Sequence, residues 1–220
     1  MKGSEMPNED TTAIRKESDS HAQPEENATR EQDVARMRRI GAQHFTAVLV
    51  ALTLWGAGDA WASQSGMVLA FIVSLGNALI AGFVVASIVH EWGHFAGARL
   101  AGSISPVLEQ PVRYFFMFNF NMEKNSVGQF LSMSVAGPLA NWLLVLLLLV
   151  LIPMDTASQA LIIATVTGVA VNVSLFEVPV ILRTRTSGEP QQELASQLSS
   201  VGVQTLPGIV VGGIVGLLLL

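Results

Sequence analysis

The stretch MVLAFIVSLGNALIAGFVVASIVHEWGHFAGARL, residues 67–100, stays apolar for most of its length and carries His90-Glu91-Trp92-Gly93-His94 near its far end. Its length and lack of charge before Glu91 predict a helix that crosses a membrane. Two imidazoles four residues apart on a helix lie about 40° apart around the axis and roughly 6 Å apart along it. Both can therefore reach one tetrahedral metal ion, usually zinc, while Glu91 takes a proton from water activated there. That is the chemistry of peptide hydrolysis, with His90 and His94 as ligands and Glu91 as the base. A His at membrane depth needs a partner and is functional by default. The remaining two of the four His, His21 and His44, read as lying outside the apolar part.

Composition supports the same setting. Half of the 220 residues are hydrophobic (50%) and only 13% are charged, which fits a polytopic membrane protein better than a soluble domain. With no Cys, a metal site must use nitrogen and oxygen ligands. The formal charge of −5 comes largely from the N-terminal tail, and no basic patch with interleaved aromatics is present, which argues against nucleic acid. Residues 1–43 are polar and cannot bury a core, so a disordered cytoplasmic tail is expected, with a short helix near residues 31–39. The tail has no apolar stretch of its own and is no cleavable signal. Arg36, Arg38 and Arg39 directly precede the first apolar run, which reads as a signal anchor.

Residues 44–220 form the expected membrane domain. Its apolar segments fall near 45–62, from 67 into the Arg99 region, at 130–152, at 160–182 and at 201–220. The predicted fold is an all-α polytopic membrane protein of about five transmembrane helices. Every Lys and Arg lies in the tail, around Arg99, Arg113 and Lys124, or at Arg183 and Arg185. The connections around residues 58–66 and 153–156 carry only Asp59 and Asp155. The positive-inside rule then puts the N-terminus in the cytoplasm, the His pair towards that side and the C-terminus outside, in a multi-pass protein of the plasma membrane.

Between the second and third segments, residues 112–122 alternate apolar and mixed positions with many aromatics, which predicts a small β-strand. Such a strand must be buried in protein, line a wet cavity or lie at the interface. It could serve as an edge that pairs with an extended substrate, or simply rest on the membrane surface. Asn141, in Ala136-Gly137-Pro138-Leu139-Ala140-Asn141, could hold a substrate backbone or bridge helices. Gly208, Gly212 and Gly216 form a close-packing helix face, and Asn77 reads as an interhelical hydrogen bond.

Together these motifs resemble a family. His90-Glu91-Trp92-Gly93-His94 followed by Ala98 and Gly102 resembles the site-2 protease signature H-E-x-G-H-x-x-x-A-x-x-x-G, and Gly137-Pro138-Leu139-Ala140-Asn141 looks like that family's G-P-L-x-N element. The resemblance covers about residues 66–193. It implies an intramembrane zinc metalloprotease that cuts membrane-embedded segments of other proteins, with His90 and His94 as ligands, Glu91 as base and Asn141 orienting substrate. The family's third ligand is an Asp in a D-G element, and residues 186–193 contain no Asp. Glu189, Glu193 and Glu177 are the oxygen donors left, with Glu189 the first choice because Ser187-Gly188 could turn it back towards the membrane. The alternative is a protease-like protein that binds membrane partners without cutting them.

Overall fold

The computed structural model describes residues 9–112, 116–198 and 205–220, with side chains from Arg30 onward except at residue 205. Among these residues the order is α1 (Glu9–Ser65), α2 (Val68–Leu100), β1 (Val107–Val112), β2 (Phe116–Phe118), α3 (Val127–Leu151), α4 (Ala157–Ser187), α5 (Pro190–Leu198) and α6 (Thr205–Leu219). Four helical stretches are long and apolar enough to cross a membrane: Arg30–Ser65, α2, α3 and α4. They are apolar on outward faces too. Phe45, Leu49, Ile72, Ile80, Leu143 and Leu147 are all exposed. Helices hydrophobic all round belong in a large core or in lipid.

α1 is continuous over 57 residues and passes residue 43 without a break. The short helix expected near residues 31–39 is part of it. Ala, Glu, Gln and Arg in the tail are good helix formers, and the apolar stretch downstream supplies the costly nucleus. The reversal into α2 takes two residues. Gly66 adopts φ +64°, a left-handed conformation that favours glycine. The two helices then run antiparallel, and Asn77 Nδ2 donates to the Leu54 carbonyl at 2.9 Å, the interhelical bond expected of it.

The β element is a two-stranded antiparallel hairpin with Val107 opposite Phe118 and Val112 opposite Phe116, the register shifting between them. This differs from the single strand expected over residues 112–122. The first strand begins five residues earlier and tolerates Pro111, as an edge strand can. The second stops at Phe118, and Asn121 then caps a turn by accepting from the Glu123 and Lys124 amides. Arg113, Tyr114 and Phe115 lie outside the described residues. Val107 and Met117 pack into a core with Phe95 and Ile40. The outer edge of β1 is taken up by α1: Asp33 accepts from the Val107 amide at 2.6 Å, and Arg39 donates to the Glu109 carbonyl. Asp33 also pairs with Arg99 at the end of α2.

α3 starts at a capping box, Ser126 with Gln129. α4 starts at Thr156, whose hydroxyl accepts from the Gln159 amide, and ends at Gly188 with φ +74°. α2 packs against α1, α3 and α4, which places it at the centre of the helix packing. α6 lies on α4, with Gly208 and Gly212 against Gly168 and Ala164, which is the close-packing role expected of the glycine face. As a span, however, α6 is short. Its 15 residues reach about 22 Å, less than the roughly 30 Å of a bilayer's hydrocarbon core. The fifth span expected over 201–220 is therefore not formed by α6 alone, and residues 201–204 lie outside the described residues.

Candidate metal centre

Close contact between α2 and α3 sets the site. A Cβ on Gly93 would fall 2.6 Å from the Ala136 carbonyl oxygen, and one on Gly97 would fall 2.5 Å from Ala136 Cβ. Neither position has room for a side chain. On the opposite helix, a Cβ on Gly137 would lie 2.4 Å from His94 Cε1, so the His94 ring rests directly on the α3 backbone. Pro138 follows. It cannot donate to the Ser134 carbonyl, and its ring crowds that turn. At the neighbouring carbonyl, Met133, His94 Nδ1 makes a 2.8 Å hydrogen bond. An Nδ1–H donated there leaves Nε2 with its lone pair free to bind a metal.

His90 lies one turn earlier on the same face, its ring centroid 4.4 Å from that of His94 and its Nε2 3.0 Å from His94 Nε2. The third group comes from α4. Glu177 Oε1 is 2.9 Å from His90 Nε2 and 3.1 Å from His94 Nε2. The ligand atoms of His90, His94 and Glu177 all lie within 4.8 Å of one another, close enough to surround one ion. Two His nitrogens and a Glu oxygen form a donor set used by catalytic zinc, which keeps a fourth position open. Glu177 Oε2, His90 Nδ1, both amide atoms of Asn141 and Thr184 Oγ1 are buried atoms without a hydrogen-bond partner, and the first two belong to the ligand group itself. Buried polar atoms are normally satisfied, so those two also fit a site that accommodates an ion.

The carboxylate in this set is not the first choice from sequence. Glu189 is exposed in the turn beyond the end of α4 and is not part of the His90, His94 and Glu177 group; its backbone amide donates to Ser187 Oγ at 3.2 Å. Glu193 pairs with Arg183 at 2.9 Å. α4 stays helical to Ser187 and α5 starts at Pro190, which puts Glu189 in the short turn between them. A usable signal was present nonetheless. Glu91 and Glu177 are the carboxylates deep within apolar helices, where an ionisable group needs a reason.

Glu91 is buried, and its Oε1 accepts the Met117 amide of β2 at 3.2 Å. Glu91, His94 and Glu177 sit in the wall of a cavity of about 290 Å³ otherwise lined chiefly by aromatic and apolar side chains, among them Phe116, Phe118, Phe120, Phe130 and Phe176. The strand segment thus comes to the site itself. Asn141 does not line this cavity; it is fully buried between helices. His44, read as peripheral, is buried in α1 and accepts the Trp92 indole N–H at 3.1 Å, tying α1 to the motif turn.

No family model, curated protein or solved structure matches the chain.

Proposed function

We propose that this chain is a multi-pass membrane metallopeptidase, similar to the site-2 proteases, that hydrolyses a peptide bond in a membrane-embedded segment of another protein. The observation that supports this reading best is the meeting of His90, His94 and Glu177 beside Glu91 at the wall of an apolar cavity. His90 and His94 would hold a zinc ion through Nε2 and Glu177 through a carboxylate oxygen. Bound there, zinc would supply Lewis-acid polarisation of the scissile carbonyl and acidify water. Glu91 takes the proton of the attacking water and returns it to the leaving amine. Its Oε1 accepts the Met117 amide, which orients the carboxylate and leaves Oε2 to take that proton. An extended substrate segment laid against β2 would lie beside this carboxylate. Strand addition also suits the substrate, since a helical carbonyl is already hydrogen-bonded and must be unwound before attack.

The test is made on the purified full-length protein in lipid. It should carry stoichiometric zinc and cleave a membrane-anchored reporter, losing cleavage to a chelator and regaining it with zinc. A protein that holds no zinc and cuts nothing under these conditions sinks the reading.

We place the four long apolar stretches across the plasma membrane with the N-terminus in the cytoplasm. Support comes from the charges. Arg99, Lys124, Arg183 and Arg185 all lie at one end of the helix bundle, and the α1–α2 and α3–α4 connections have no Lys or Arg. Because the chain has no Cys, single cysteines report without background. Cysteines at Gln64 and Asp155 should react with an impermeant maleimide on intact cells, and those at Lys124 and Ser187 only after permeabilisation. Labelling of Lys124→Cys on intact cells would invert the arrangement.

A further inference from the structure

The unpartnered atoms around the metal-binding group form a matched set. His90 Nδ1 becomes a donor once Nε2 faces a metal, and Asn141 Nδ2 is a donor; Asn141 Oδ1 and Glu177 Oε2 are acceptors. Asn141 is level with both ligands. On α3 it follows Gly137, which carries the His94 ring, and precedes Leu144 and Val145, which pack against Val85 and Ala86 of α2. His90 lies between those two levels on α2. Towards α4, the neighbouring Trp142 donates to Ser174, one turn from Glu177. Asn141 is 0% exposed and does not line the cavity.

We infer that Asn141 is a positioning residue of the metal centre, its carboxamide bridging the two ligands that come from different helices. Because none of these atoms is bonded to another directly, the amide oxygen accepts from His90 Nδ1–H and the amide nitrogen donates to Glu177 Oε2 across buried water. His94 has its own support in the Met133 carbonyl, and Asn141 supplies the equivalent for His90 and Glu177. Outer-shell partners of this kind hold ring orientation and tautomer, and losing one typically weakens metal binding about 10–100-fold.

This inference rests on the metallopeptidase reading, and the experiment separates the two. Zinc affinity is measured by chelator competition on full-length protein, with the Co(II) absorption spectrum and thermal unfolding of the metal-free form. Asn141→Leu keeps the branched heavy-atom skeleton and removes both hydrogen-bonding groups. It should unfold at or above the wild-type temperature yet bind zinc about 10–100-fold more weakly, with an altered cobalt spectrum. Asn141→Asp keeps the acceptor for His90 and should bind more tightly than the Leu variant. Should Asn141→Leu not fold, Asn141→Ser carries the same expectation. Wild-type affinity and spectrum in the folded variant overturn the inference, and if cleavage is then lost, Asn141 acts on substrate instead. A wild-type protein that takes no zinc is the failure of the metallopeptidase reading itself.

Discussion

Glu177→Ala should purify folded but without stoichiometric zinc, and without activity. Glu189→Ala and Glu193→Ala should keep both. Glu177 supplies the oxygen nearest to both imidazole Nε2 atoms, at 2.9 and 3.1 Å. Without it two His remain, and catalytic zinc sites use three protein ligands. The loss should exceed the roughly 10–100-fold that outer-shell groups contribute. Glu189 is exposed, and Glu193 is engaged with Arg183, so neither touches the centre. Elemental analysis after gel filtration, with circular dichroism as the check on folding, decides the matter. Full zinc in Glu177→Ala together with loss in Glu189→Ala would return the third ligand to the loop.

Glu91→Gln should retain zinc and fold while its cleavage rate falls by about 10²–10⁴, the usual contribution of a positioned general base. The amide has nearly the same shape, and its oxygen can still accept the Met117 N–H, so the contact that seats β2 survives. What disappears is the capacity to accept the proton of the attacking water. Rates are read on the membrane-anchored reporter with zinc content measured in the same preparation. Cleavage at the wild-type rate would remove Glu91 from the mechanism.

The His90–Glu91–His94 register was legible because it is local: four residues on one helix fix the geometry without knowledge of the rest. The third group is legible only as one of three candidate carboxylates, because Glu177 lies 83 positions from His94 and reaches it only through packing of α4 on α2. The family pattern points to the loop beyond α4, whereas the cost of a carboxylate inside an apolar helix points to Glu177. The strand limits are less legible. β1 runs through Pro111, and the shift in register within the hairpin breaks the simple alternation that a period-two pattern follows. In the tail, Ala, Glu, Gln and Arg favour helix despite their polarity, and α1 runs back to Glu9.

Asp33 and Arg39 occupy the outer backbone of β1, which leaves the hairpin one-sided. A sheet with two open edges can recruit strands from either flank, and identical molecules can then join end to end into fibres. Here growth from the β1 flank is blocked within the same polypeptide. On the proposed function, a guest strand would be taken one at a time on the β2 flank beside Glu91, and the covered β1 flank would keep that pairing from passing on to a second copy.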